Sequence, residues 1–576
     1  MTFGIILGYI ALLLFLGIFA TRLLKKSSGD YFLASRGIGP FMLLMSIFGT
    51  TMTAFALVGS TGRAFEKGIG VYGLMASWSG IIHSACFFLI GARVWALGKK
   101  HGYVTQLSFF RDRYRSDLLP LLLFPVIVGF VIIYILMGVV GSGNVIEALT
   151  PETFAEADVK TEVVLSAPPR GLSIPDSWGD RLSYDAGTST LALTGSIHPK
   201  RRGELFGMVA KPPAPEWKKA VGQLIAKAPR GAVPYAGGMG LICLVVLIYV
   251  FLGGMRATAW ANTFQTLVFM VMGIVAFLVI TGKLGGPVAA TEKLLASDAA
   301  ERAIRGGDQI HKLQFLTYCF IPLSVAMFPH LFQHWLTAKR ASSFKLTVVA
   351  HPLCIAVTWV PCILLGIWAA AELPGAGDPN AIKPNAVLGV MVAKHSTDVL
   401  SGLIGAGILA AIMSSMDSQF LCLGSLFTND IVVRYGRHVG LGEVTDRTKV
   451  MFGRGFVLIA VVVTLLIGLS RPGGVFSMGV WCFTGFASLF PVVFAAIYWK
   501  RANKWGAIAS VVTVAVLWLW FLGDALTGEF LIADMMPVTF LLAASSVAMV
   551  AGSLLTTPPP QDLQDKFFPS KKSEHD

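Results

Sequence analysis

Residues 410–420 read AAIMSSMDSQF and place Ser414, Ser415, Asp417, Ser418 and Gln419 inside an apolar run that extends from about Leu400 to Phe427. On a helix, positions 414, 417 and 418 share a face, with 411 and 415 adjoining. A backbone carbonyl, hydroxyls and a carboxylate gathered there form an all-oxygen cluster, the donor set of a hard cation. Membrane serines also bond back to carbonyls one turn earlier, which is the structural alternative for Ser414 and Ser415. Asp417 is harder to absorb that way, because a carboxylate at the centre of a span costs about 3 kcal/mol on insertion scales. It meets either a cation or a salt-bridge partner. The cluster holds no nucleophile–base pair and no phosphate cradle, so it does not suggest an enzyme.

The elements that must carry this cluster are membrane spans. Of the 576 residues, 55% are hydrophobic and only 14% charged, with a mean hydropathy of +0.70. Soluble domains carry about 25% charged residues, so the composition is that of a multi-pass membrane protein. Apolar stretches long enough to cross ~30 Å of hydrocarbon recur near 3–22, 41–61, 71–97, 119–148, 233–253, 258–281, 313–336, 346–371, 399–427, 452–470, 474–499, 506–523 and 535–555, about thirteen in all. The first has its basic residues (Arg22, Lys25, Lys26) after it rather than before it, so it is expected to be a retained helix and not a signal peptide.

The loops alternate in charge. Lys99, Lys100, Arg111, Arg113, Arg115, Lys339, Arg340, Arg434, Arg437, Lys500, Arg501 and Lys504 all fall in odd-numbered loops. The positive-inside rule therefore puts the N-terminus outside and the C-terminus in the cytoplasm. The net charge of +14 is dispersed over these loops, which argues against a nucleic-acid surface. The seven cysteines (Cys86, Cys243, Cys319, Cys354, Cys362, Cys422, Cys482) lie within spans and lack zinc-type spacing, so neither a disulfide framework nor a zinc site is expected.

One polar, Pro-rich region, 150–232, interrupts the pattern. TEVVLSA (161–167) and RLSYDAGTSTLALTGSI (181–197) alternate like strands, with Asp185–Gly187 as a turn. PEWKKAVGQLIAKA (215–228) has the pattern of an amphipathic helix. The organisation is thus helices over 1–149, with the second span broken, an external β-rich insert over 150–232, helices over 233–556 and a tail over 557–576. The break is expected in SIFGTTMTAFALVGSTG (46–62), where Gly49 and the Thr50, Thr51, Thr53 cluster permit the backbone to leave its ladder. Unwound helices whose freed carbonyls hold cations are a device of secondary transporters, although small residues also serve close helix packing.

Several long pieces, in order, carry a family resemblance: GDYFLASRGIGPFML (29–43), GYVTQLSFFRDRY (102–114), YVFLGGMRATAWANTFQ (249–265), PHLFQHWLTAKR (329–340), GILAAIMSSMDSQFLCLGSLFTNDI (407–431) and YWKRANKWGAIAS (498–510). Across most of its length outside the insert, the chain resembles the sodium:solute symporter family. The resemblance implies an all-α fold with a LeuT-like core of five plus five helices in an inverted repeat, extra helices around it, and Na+ as the coupling ion. It implies a main sodium site made by the carbonyls of Gly49, Met52 and Ala411 and the hydroxyls of Ser414 and Ser415. Asp417 and Ser418 fall where some members hold a second sodium opposite an Asp on the fifth core helix, but that position here is Asn262.

The family's sugar carriers have a second-helix Glu that YGLMASWSGIIHSACF (72–87) lacks, and their inner-gate Tyr aligns with Ser324. The piece 326–340 resembles members that carry small carboxylates. A small carboxylate or amino-acid-like acid is therefore the expected solute, with Phe55, Tyr318, His330, Trp481 and Phe483 as candidate pocket walls. The alternatives are a carrier of sugar or another neutral solute, and a sensor that keeps the transporter fold. Expected partners are the solute, sodium and the lipid of the plasma membrane (the inner membrane in a Gram-negative cell), with no nucleic acid, and an unassigned partner for the insert.

Overall fold

The computed structural model describes residues 1–21, 28–151, 153–154, 159–197, 201–209, 214–227, 231–306, 309–375, 381–436, 444–526 and 529–568. The end of the expected tail, 569–576, lies outside the described residues, as do Arg22, Lys25, Lys26 and Arg437. The chain folds as a helical bundle: α1 (Thr2–Thr21), α2 (Pro40–Thr51), α3 (Phe55–Lys67), α4 (Gly70–His101), α5 (Leu118–Leu149), α6 (Tyr235–Lys283), α7 (Lys312–Ala326), α8 (Pro329–Thr337), α9 (Ser343–Ala369), α10 (Asp398–Tyr435), α11 (Asp446–Leu469), α12 (Val475–Tyr498), α13 (Lys504–Trp520) and α14 (Val538–Leu554).

Among the described residues, eight helices are long and apolar enough to cross a membrane, or up to 10 if each bent pair counts as one span. The expected thirteen segments all overlap these helices or the shorter apolar α13 and α14, but length and composition do not establish that number. At 49 residues, α6 is the longest helix. At 1.5 Å per residue it would extend roughly 70 Å, more than twice a hydrocarbon core. It breaks at Gly254, where φ is +52° and ψ −153°. A Cβ there would sit 2.6 Å from the Tyr31 ring and carbonyl, so both the backbone conformation and the close approach require glycine.

Two helix pairs bend sharply: α2–α3 by 57° and α7–α8 by 51°. The first bend lies in the expected stretch. The second is set by Pro329 at the start of α8, since the residue before a proline is driven out of the helical region; Phe328 accordingly has ψ 115°. The polar stretch 410–420 does not break, and α10 runs helically through it.

Every residue from 404 to 426 on α10 is buried. The helix forms the central column, packed by α1, α2, α5, α6 and α11. Exposed apolar side chains lie on outer helices, including Leu12 and Phe15 on α1, Leu458 and Ile459 on α11, and Val516 and Leu519 on α13. Such surface is stable against lipid and costly in water. All seven cysteines are free.

The insert folds as expected. Its strands β1 (Lys160–Val164), β2 (Leu182–Asp185) and β3 (Thr190–Thr194) form an antiparallel sheet in the order β1-β3-β2. Asp185 makes the turn by accepting from Gly187 N–H at 2.9 Å and Thr188 Oγ1 at 2.7 Å, an Asx-type turn. The helix Pro215–Lys227 covers the sheet, with Trp178, Leu191, Leu193, Trp217, Val221 and Leu224 in a core separate from that of the bundle.

Candidate functional site

The first cluster forms where broken α2 meets unbroken α10. The helical ladder of α2 ends with Met52 N–H donating to Phe48 O at 3.0 Å, and it resumes with Ala56 N–H donating to Thr53 O, also at 3.0 Å. Met52 O is thereby left out of the ladder. Ser414 Oγ lies 2.8 Å from Gly49 O and 2.9 Å from Ala411 O. A hydroxyl has one proton and donates to one of these carbonyls at a time. The other carbonyl then faces a lone pair, an arrangement that a small cation between the oxygens relieves. Gly49 makes the approach possible, because a Cβ there would lie 2.2 Å from Thr266 Oγ1 on α6.

Of the five positions assigned to the main sodium site, Gly49, Ala411 and Ser414 are in direct contact. Ser415 turns its hydroxyl to Ile412 O at 2.9 Å on its own helix, and Met52 is buried at the end of α2. Among the described residues, no group of three or more His, Cys, Asp or Glu could hold a metal ion. What the site offers is carbonyl and hydroxyl oxygen, which suits an alkali cation better than a transition metal.

One turn along α10, the carboxylate of Asp417 is fully buried. Tyr249 OH donates to Oδ2 at 2.9 Å and Ser418 Oγ to Oδ1 at 3.2 Å. Asn262 Nδ2 donates to Ser418 Oγ at 2.9 Å, an orientation that aims the amide oxygen at the carboxylate. Turned over, the amide donates to both Asp417 oxygens at 3.0 Å and to Ser414 O at 3.1 Å, and accepts from Ser418 Oγ at 2.9 Å. The turned orientation satisfies an ionised carboxylate, whereas a protonated Asp417 donating to the amide oxygen satisfies the other.

Asp417, Ser418 and Asn262 are thus in mutual contact, and His334 Nε2 joins them 3.1 Å from Ser418 Oγ. Three neighbours were not singled out in the sequence: Tyr249, and the buried Tyr9 and Gln265, whose OH and Nε2 have no partner among the described residues. The only signal for them was a polar atom within an apolar span.

The five candidate pocket residues separate into two places. Phe55, His330 and Phe483 lie in a central aromatic cluster with Tyr134 and Phe328: Phe55–Phe483 at 5.0 Å between ring centroids, Tyr134–Phe483 at 5.1 Å, Tyr134–His330 at 5.4 Å and Phe328–His330 at 5.3 Å. Among the described residues, neither ring nitrogen of His330 has a partner. Tyr318 and Trp481 instead line a separate pocket with Arg63, Gln314, Phe476 and Glu529.

Comparison with known proteins bears on what this arrangement does. The family model described as "Sodium:solute symporter family" matches residues 31–157 and 222–513. The sodium/pantothenate symporter of Haemophilus influenzae is 27% identical over 285 residues, 49% of this chain and 57% of that protein. The osmoregulated proline transporter OpuE of Bacillus subtilis is 22% identical over 544 residues, 93% of this chain and 91% of that one. A Na+-coupled sialic acid symporter, solved substrate-bound and outward-open, has the same fold, with a TM-score of 0.66 at 15% identity over 97% of this chain and 99% of that chain.

Proposed function

The chain belongs to the sodium:solute symporter family, and from that premise we propose how it holds its ion and its solute. Its activity is sodium-coupled symport of a small organic solute across a membrane, and its relatives are transporters rather than enzymes. The coupling sodium binds to Gly49 O, Met52 O, Ala411 O, Ser414 Oγ and Ser415 Oγ. The observation that carries this reading is the single Ser414 proton shared between the Gly49 and Ala411 carbonyls. Occupation requires Ser415 to turn from Ile412 O towards the ion, a rotamer change within reach of a side-chain hydroxyl.

A second sodium binds at Asp417, Ser418 and Asn262, with the amide oxygen of Asn262 facing the ion. Moving the carboxylate from the fifth core helix to the eighth keeps it within the same cluster. The N-terminus lies outside and the C-terminus in the cytoplasm, following the loop charges.

The solute is a small carboxylate or amino-acid-like acid. Relatives are named for proline, pantothenate and sialic acid, and these three share a carboxylate group. Phe55, His330 and Phe483, with Tyr134 and Phe328, line its central site, where the unpartnered His330 supplies a polar contact. A potential of ~100 mV contributes about 2.3 kcal/mol per charge and a tenfold sodium gradient about 1.4 kcal/mol. One sodium therefore concentrates a neutral zwitterion roughly 500-fold, whereas a monoanion gains only the chemical part unless a second sodium accompanies it.

The test is uptake of labelled proline, pantothenate and short monocarboxylates into proteoliposomes with a sodium gradient and with a choline gradient. Sodium-driven accumulation of an acid is expected; tighter, faster uptake of a neutral hexose than of every acid would replace the solute class.

A further inference from the structure

Arg63 at the end of α3 and Glu529 in the loop between α13 and α14 form an ion pair across the mouth of the pocket that Tyr318 and Trp481 also line. The pocket is partly open to solvent, and Leu74, Val480 and Phe530 complete its apolar wall. Two of its lining side chains carry an unused donor. Among the described residues, Arg63, 8% exposed, has no partner for its Nε, and Trp481, 2% exposed, has none for its Nε1. A buried N–H without an acceptor costs about 1–3 kcal/mol, and neither arginine nor indole nitrogen can serve as an acceptor itself.

The charges around the pocket balance. Arg63 Nη1 is 3.4 Å from Glu66, Lys67 Nζ is 3.4 Å from Glu529, and Gln314 Nε2 also donates to Glu529. Burial raises the Glu529 carboxyl, but Arg63 first, then Gln314 and Lys67, overcome this and hold it below its ordinary value. It is therefore an ionised, tethered carboxylate occupying the guanidinium. Below it, Arg63 lies over the Phe476 ring at 5.1 Å, and Phe476 stacks on Phe55 at 5.3 Å, so the floor of this pocket is the roof of the central aromatic cluster.

We propose that this pocket is an outer carboxylate subsite, in which a small organic carboxylate replaces Glu529 on Arg63 and takes the Trp481 indole N–H and the Arg63 Nε–H as further donors. The proposal deepens the carboxylate reading of the solute and rests on it. It adds a second station, ahead of the central one, that needs no sodium because none of the sodium-site residues lines it.

The purified full chain, with sodium replaced by choline, is titrated with benzoate and with benzamide, which has the same shape but no charge. The parent should bind benzoate about tenfold more tightly than benzamide, the value of one charge-assisted hydrogen bond. Glu529→Gln removes the competitor and should tighten benzoate by about fivefold or more while leaving benzamide unmoved. Trp481→Phe, which keeps an aromatic ring, should weaken benzoate by about tenfold. Equal binding of acid and amide by the parent in choline, or looser benzoate in a folded Glu529→Gln protein, overturns the subsite. Sodium-driven uptake of an acid alongside that result would leave the function standing. Choline-insensitive benzoate selectivity with no sodium-driven uptake of any acid would leave the subsite and remove the coupled reading.

Discussion

The clusters at Ser414 and Asp417 lie one turn apart on the same face of α10, and they solve opposite problems. Around Ser414 there is too much oxygen and too little hydrogen: two carbonyls share one hydroxyl proton. Around Asp417 the carboxylate is met by a neutral donor from Tyr249 and by either Ser418 or, in its turned orientation, Asn262. In our proposal a cation between Gly49 O, Ala411 O and Ser414 Oγ completes the first arrangement, whereas the second can hold either a proton or a cation. A ligand-dependent site can therefore be built from fixed carbonyls at a helix break, or from a rotatable amide beside a buried acid. The fixed version should bind its ion more strongly, since less reorganisation accompanies binding.

The largest expected effect breaks the first cluster. Ser414→Ala with Ser415→Ala removes the two hydroxyls proposed as ligands and should raise the sodium half-saturation constant by about two orders of magnitude, at roughly 1.5 kcal/mol per lost charged contact. A folded double mutant with the parent's sodium curve would reassign the site. Asp417→Asn comes next. It should lower the sodium Hill coefficient towards one while leaving the main site within about threefold, a ratio worth less than 1 kcal/mol. A parent whose Hill coefficient is already one, and which the substitution leaves unchanged, would reduce Asp417 to a structural group.

A smaller effect sharpens the contrast. Tyr249→Phe removes one neutral donor, which costs about 1 kcal/mol of stability when the carboxylate relies on it. Saturating sodium should erase most of that loss if the ion takes over the carboxylate, as thermal unfolding with and without sodium would reveal. Replacing residues 160–227 with a Gly/Ser linker is expected to change least, because the insert has a hydrophobic core of its own. Sodium half-saturation should stay within about twofold, and loss of sodium dependence in the folded deletion would make the insert part of the coupling machinery.

How much of this was legible in the sequence follows from what makes a residue conspicuous. Ser414 and Asp417 stood out because hydroxyls and a carboxylate in an apolar span carry a cost that composition exposes. The α2–α3 break was announced by Gly49 and its threonines, and the strands of the insert by their alternation. Tyr9, Tyr249 and Gln265 were silent: a tyrosine or one amide in a span is compatible with plain packing, and only the fold turns them towards Asp417. The division of the five pocket residues was equally hidden. Tyr318 and Trp481 join Arg63 and Glu529, and the latter two are 466 positions apart, so no local pattern could pair them. The family resemblance supplied Gly49, Met52 and Ala411, whose proposed contribution is backbone carbonyl and leaves no mark on residue type.

The central claim is that Ser414 sits at the coupling-ion site, and equilibrium binding of radioactive sodium to the purified full chain tests it most directly. The parent and Asp417→Asn should both bind sodium with similar affinity at their tightest site. Ser414→Ala should lose that affinity by about tenfold or more, the value of one charged contact. Sodium binding by a folded Ser414→Ala protein indistinguishable from the parent would contradict the account.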